Sequence, residues 1–252
     1  MNARAARGDG RNVIRQAAPR GTRSTERSGP SPWGPRWSHW VGHFLAYGVW
    51  DTQVTGLAHV PARGPVLFAA NHTSAIDGPI LVGVTPRPVH LLVKAASFTG
   101  PTGVLLRAAG QIPVESGGGR LALHSALDVL RRGGAVGVFP EGTRGRGAAS
   151  TAQAGVAWLA LNAPAPVIPV AMLGIRRTGD GVARVPGLGR CMAVEFGRPL
   201  ALERAPGTSG RAALEAANEA IRVALAALVT SAAARTGLAL PTDDPLRSGS
   251  GS

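Results

Sequence analysis

Cysteine is almost missing from this chain: Cys191 is the only one among 252 residues. A single thiol excludes an intrachain disulfide and a cysteine metal site, and it suits a reducing, cytoplasmic compartment. Lysine is equally scarce, with Lys94 the one Lys among 27 basic residues and Arg making up the rest. Charged residues account for 16% of the chain, where soluble domains usually carry roughly 25%. Part of the surface is therefore expected to rest against something apolar. No apolar run reaches the roughly 18 residues that mark a conventional transmembrane helix. The basic N-terminus lacks a following apolar core and a small-residue cleavage site, so it does not read as a secretory signal. The Asn71-His72-Thr73 sequon is set aside for the same reason.

What is present is positive charge. The formal net charge is +13 and the isoelectric point is near 11.7. Such a balance suits anionic lipid, an anionic substrate or nucleic acid, although the codon bias of a GC-rich genome, which favours Arg, Ala, Gly and Pro, produces the same composition. Residues 1–32 hold seven Arg against Asp9 and Glu26. Rich in Gly, Ser and Pro, this stretch is expected to be a disordered basic tail, either a polybasic contact to anionic lipid or a solvated tail with no role.

Residues 33–53 differ sharply. Trp37, Trp40, Phe44 and Tyr47 recur at spacings of three and four, which places them on one face of a helix expected over 36–50. Trp33 and Trp50 flank them. A helix of this length spans roughly 22 Å, less than the roughly 30 Å hydrocarbon core, so it is expected to lie in the membrane interface rather than cross it. The alternative is that the aromatic face packs on the protein's own core.

From residue 54 strand and helix signals alternate. Strands are expected at 66–70, 89–93, 135–139, 167–173 and 192–196. Helices are expected at 78–84, 119–132, 152–162 and 211–234, the last with Leu214, Ile221, Leu225 and Leu228 facing inward and Thr208 or Ser209 as its cap. This order predicts a single α/β domain over 54–238 with a largely parallel central sheet flanked by helices. Residues 239–252 read as a loose tail.

Two segments carry chemistry. Asn71-His72-Thr73-Ser74-Ala75-Ile76-Asp77 follows an apolar strand directly, which puts His72 at the carboxyl end of a strand, where α/β proteins build sites. Asp77, five residues on, is placed to hold one ring nitrogen of His72 and leave the other for a hydroxyl proton. In its plainer reading, Asp77 caps the next helix. Phe139-Pro140-Glu141-Gly142-Thr143-Arg144 follows a second strand; Gly142 allows a tight backbone turn, and Arg144 suits bidentate phosphate binding.

Together these segments resemble the 1-acylglycerol-3-phosphate acyltransferase family, whose members carry an N-H-x-x-x-x-D box. The resemblance runs from about Val54 to Phe196. Gly56-Leu57 and Val60 to Val66 look like the lead-in, Asn71-His72 with Asp77 like the first block, Gly110 to Val114 like the second, Phe139 to Arg144 like the third and Val167 to Val170 like the fourth. The resemblance implies direct acyl transfer from acyl-CoA or acyl-carrier protein to the hydroxyl of a lysophospholipid, with no metal or cofactor. In that scheme His72 takes the hydroxyl proton, Asp77 orients His72, Glu141, Gly142, Thr143 and Arg144 bind the head group, and Pro169 shapes the acyl side. With the aromatic helix and the basic tail, a peripheral protein on the cytoplasmic face of the cell membrane is expected, bound to an anionic membrane surface; without a recognition motif or a basic helix with base-stacking aromatics, no nucleic acid is expected. The pattern departs at Ser116, where the family carries a basic residue, at Gly145 and at Gln153. Arg120 is placed to substitute for the missing base, and Lys94, Arg107, Arg144 and Arg146 are further anion-binding candidates. These departures keep one alternative open: a catalytically inactive membrane-binding protein of the same fold.

Overall fold

The computed structural model describes Pro30 and residues 33–115, 119–141, 147, 154–163 and 165–243. The expected tail 1–32 (apart from Pro30), Gly142 to Arg146, Ser116 and Gln153 fall outside these residues.

Among the described residues, seven strands and five α-helices follow helix α1 (Gly34–Phe44) in the order β1 (Asp51–Thr55), β2 (Val66–Ala70), α2 (Asp77–Val84), β3 (Val89–Lys94), α3 (Gly100–Ala108), β4 (Ile112–Val114), α4 (Arg120–Arg131), β5 (Ala135–Val138), α5 (Ala154–Asn162), β6 (Val167–Leu173), β7 (Cys191–Phe196) and α6 (Gly210–Thr236). The strands form one seven-stranded sheet in the order β1-β7-β6-β2-β5-β3-β4. All neighbours run parallel except β6 and β7. The expected α/β fold with a mostly parallel sheet is the one observed.

Every residue of β2 and β6 is buried. Strands covered by helices on both faces need apolar side chains on both, which is why Val66–Ala70 and Val167–Leu173 read as continuous apolar runs rather than alternating ones. One core lies between the sheet and α1–α2, around Phe68, Ile80, Leu81 and Phe196. The other lies beneath α4, α5 and α6, around Leu67, Leu130, Leu159 and Ile221. In α6, Ile221 and Leu225 are buried as expected, whereas Leu214 and Leu228 are half-buried. The Ser209 side chain accepts from the Ala212 amide at 3.2 Å and caps this helix, which ends at Gly237 with φ 70°.

The expected helix over 36–50 is corrected. The α-helix stops at Phe44 and continues as a wider π-turn over Leu45–Val49; the Trp50 amide closes it on the Leu45 carbonyl at 3.0 Å. The wider turn takes Trp50 off the aromatic face and into the core, where its indole donates to the Pro186 carbonyl at 3.2 Å. Trp33, Trp37, Trp40, Phe44 and Tyr47 stay exposed, so the aromatic face does not pack on the core. No helix among the described residues is long and apolar enough to cross a membrane.

Helix α1 seats on α2 through glycine. A Cβ on Gly83 would lie 2.1 Å from the Gly42 carbonyl carbon, and one on Gly42 would lie 2.8 Å from the Gly83 Cα. The His39 and His43 rings reach the Val82 and Gly83 carbonyls at 2.9 and 3.4 Å. Gly83→Ala is expected to push the helices apart at a cost of about 1–3 kcal/mol, lowering Tm by roughly 3–10 °C for a chain of this size. Gly210→Ala, in open space at the start of α6, is expected to leave Tm unchanged or slightly raised. Thermal denaturation of the two variants checks both.

Candidate active site

β2 lies at the centre of the sheet, between β6 and β5. The chain leaving it meets no further ladder partner on the β5 side, yet Asn71 stays bound to β6. Its amide donates to the Val170 carbonyl at 3.4 Å, while its side chain accepts from the Met172 amide at 2.7 Å and donates to the Met172 carbonyl at 3.1 Å. The carboxamide thus imitates a peptide group for one more residue and fixes where His72 leaves the sheet.

Asp77, fully buried at the start of α2, organises the loop. Its Oδ2 accepts from the Thr73 amide at 2.6 Å, the Ser74 amide at 2.8 Å and His72 Nδ1 at 2.8 Å. The capping reading of Asp77 is corrected: Ile76 is the N-cap, no side chain caps α2, and the Asp77 carboxylate instead ties down the loop before the helix while it grips the imidazole. With Nδ1–H donating to the carboxylate, Nε2 is the ring nitrogen left to accept. The ring stacks on Phe139, with centroids 4.2 Å apart and planes 19° from parallel. Phe139 was expected inside a strand, but β5 ends at Val138 and Phe139 turns toward the histidine.

The rest of the chain holds the loop from outside. The Val182 carbonyl, in the β6–β7 connection, accepts from the Ala75 amide at 2.8 Å and the Ser74 hydroxyl at 3.3 Å. That connection is anchored by buried Arg176, whose Nη1 lies 3.0 Å from an Asp243 carboxylate oxygen. Desolvation pushes the Asp243 carboxyl up, but the Arg176 contacts and the Gly179 amide outweigh it and hold the group below its ordinary value. Gly147, with φ 73°, packs so tightly that a Cβ would lie 2.5 Å from the Thr73 methyl and 2.8 Å from Asn71 Nδ2.

His72 lines a cavity of about 1120 Å³ at the carboxyl ends of β2, β3, β4 and β5. The wall is mainly apolar, with Val41, Leu45, Val82, Leu105 and Leu123 among its residues. Lys94, exposed at the end of β3, lines it as well. Arg120 is exposed at the start of α4; its neighbour Gly119 lines the cavity and Arg120 does not. Arg107 donates to the Phe98 carbonyl at 3.0 Å and holds α3 to the turn before it. Glu141 Oε1 lies 3.4 Å from the His72 amide, linking the two motif segments directly. Pro169 is buried in β6, away from the cavity wall. Gln111, absent from the expected site, lines the cavity and also accepts from the Leu91 amide at 2.6 Å. Among the described residues no group of three or more His, Cys, Asp or Glu stands ready to hold a metal.

A buried carboxylate, a histidine with one ring nitrogen left to accept and an apolar cavity meet at the strand ends of this α/β domain. Residues 51–173 match the family model described as Acyltransferase. The chain is 31% identical over 124 residues to 1-acyl-sn-glycerol-3-phosphate acyltransferase of Borreliella burgdorferi, covering 47% of this chain and 50% of the relative. It is 34% identical over 167 residues to lyso-ornithine lipid O-acyltransferase of Pseudomonas aeruginosa, covering 61% and 58%. The chain thus spans little more than half the length of these relatives. The crystal structure of the 1-acyl-sn-glycerophosphate acyltransferase PlsC from Thermotoga maritima superposes with a TM-score of 0.56 over 77% of this chain and 79% of that one. At 20% identity it establishes the shared fold.

Asp77→Asn leaves at least one of the three donors facing an amide or a weaker acceptor. Hydrogen-exchange mass spectrometry is expected to show faster exchange at the Thr73 and Ser74 amides, together with a stability loss of about 1–3 kcal/mol. Unchanged protection would mean that the loop is held by other contacts.

Proposed function

We propose that the protein transfers a fatty acyl group from a thioester, acyl-CoA or acyl-carrier protein, to the hydroxyl of a lysophospholipid or related lysolipid at a membrane surface, as a step of phospholipid or membrane-lipid synthesis. The observation that carries this reading is the 2.8 Å contact of His72 Nδ1 with Asp77 on the wall of an apolar cavity. His72 Nε2 accepts the acceptor's hydroxyl proton as the oxygen attacks the thioester carbonyl and the new C–O bond forms. The tetrahedral intermediate collapses with cleavage of the C–S bond, and the imidazolium returns its proton to the departing thiolate. Asp77 keeps the imidazole in the working tautomer throughout. No acyl-enzyme forms, and no metal or cofactor enters the scheme.

Support for a lysolipid acceptor comes from the cavity's apolar wall and from the names of the relatives. Those names differ in the acceptor, a glycerol phosphate in one and a lyso-ornithine lipid in the other. Glu141, Gly142, Thr143, Arg144, Lys94 and Arg120 remain the proposed head-group residues, with Glu141 also bracing His72. The exposed aromatic row of α1 supports docking to a bilayer, where indole rings favour the interface, and the basic segment 1–32 adds attraction to anionic lipid. Both features support the reading of a peripheral protein on the cytoplasmic face of the cell membrane.

His72→Ala is expected to lower kcat for acyl transfer by about 10²–10⁴-fold, with a fall in Tm from the donor lost to buried Asp77 that leaves the protein folded, measured as thiol release from palmitoyl-CoA with a lysolipid panel in vesicles. Full turnover in this variant would remove the proposed base. Separately, the double variant Trp40→Glu and Phe44→Glu is expected to weaken co-sedimentation with phosphatidylglycerol vesicles by about tenfold or more at unchanged Tm. Equal binding would show that α1 is not the docking face.

A further inference from the structure

β3 and β4 run side by side in parallel, and their last residues, Lys94 and Val114, are partners in the register. Glu115 follows Val114 immediately. One cation and one anion therefore leave neighbouring strand ends together, and both line the cavity that His72 lines. Both are exposed, and neither is in an ion pair with another described residue. Beyond Glu115 the sequence runs Ser-Gly-Gly-Gly before the next charge, Arg120, which does not line the cavity.

We infer that Lys94 and Glu115 form a head-group subsite for a zwitterionic acceptor, one that carries a primary ammonium beside an anionic group. This rests on the acyl-transfer reading above and names its substrate class. An ammonium beside Glu115 and an anion beside Lys94 each meet the opposite charge. A phosphate monoester, by contrast, would bring its dianion up to the Glu115 carboxylate, with Lys94 the one Lys or Arg among the described residues that line the cavity. Like-charge juxtaposition of this kind rejects a ligand as effectively as a good contact selects one. The anionic half of the head group has two sources, a carboxylate as in a lyso-ornithine lipid or a phosphodiester as in lysophosphatidylethanolamine.

The test measures kcat/KM for the full chain in phosphatidylcholine vesicles, with palmitoyl-CoA or palmitoyl-acyl-carrier protein as donor. The acceptors are lyso-ornithine lipid, lysophosphatidylethanolamine and lysophosphatidic acid. The wild type is expected to favour an ammonium-bearing acceptor over lysophosphatidic acid. Glu115→Gln is expected to lower kcat/KM for that acceptor by about 10- to 100-fold, the loss of one charge-assisted contact, without lowering transfer to lysophosphatidic acid. Glu115→Lys is expected to raise transfer to lysophosphatidic acid, and Lys94→Gln to lower transfer to the zwitterion. Preference for either zwitterion supports the inference and identifies which anion accompanies the ammonium. Preference for lysophosphatidic acid, or an equal loss for all three acceptors in Glu115→Gln, overturns the subsite and leaves acyl transfer standing. No transfer to any acceptor from either donor overturns both readings.

Discussion

The arrangement depends on one carboxylate. Asp77 carries no exposed surface, and burying such a group costs several kcal/mol unless hydrogen bonds replace water. Two loop amides and the His72 ring supply that replacement at Oδ2, and the Thr73 hydroxyl adds a longer bond to Oδ1 at 3.5 Å. The same contacts that make the carboxylate tolerable inside the protein fold the loop and set the ring. The geometry of His72 is thus a by-product of satisfying a buried charge.

Longer-range contacts make that local solution rigid. Asn71 prolongs the β2–β6 ladder by side chain, Phe139 covers the ring, and Val182 closes the loop from the β6–β7 connection. Each comes from a different strand end, so the sheet order brings them together. β2 belongs at the centre because its side chains are apolar on both faces, and the centre is the one place where strands on both sides can deliver such partners.

The sequence disclosed these features unevenly. β2, β6, α4 and α6 were legible because apolar runs, leucine spacing, Gly133-Gly134 and Ser209 mark them locally. The pairing of His72 with Asp77 was legible because five residues and a preceding strand confine both. Three elements were not. β1 is a polar edge strand with Thr52 and Val54 as its inward residues, β4 is three residues long, and α3 contains Gly100, Pro101 and Gly103, which read as breakers. The π-turn after Phe44 has no periodic signature that separates it from continued helix. The Glu141 contact with the His72 amide joins residues 69 apart, and no local pattern encodes a partner at that distance.

Gly42 against Gly83 has a mechanical meaning beyond stability. With no side chains between them, the α1 and α2 backbones touch, and no compressible layer absorbs a tilt of one relative to the other. The first residue of α2 is Asp77 itself. The outward aromatic helix is thereby coupled to the carboxylate as one stiff lever. An anchor on a flexible linker would concentrate a protein near a surface without orienting it; this seam sets the pose as well as the proximity, so the angle at which α1 rests becomes the angle at which the cavity meets whatever lies outside.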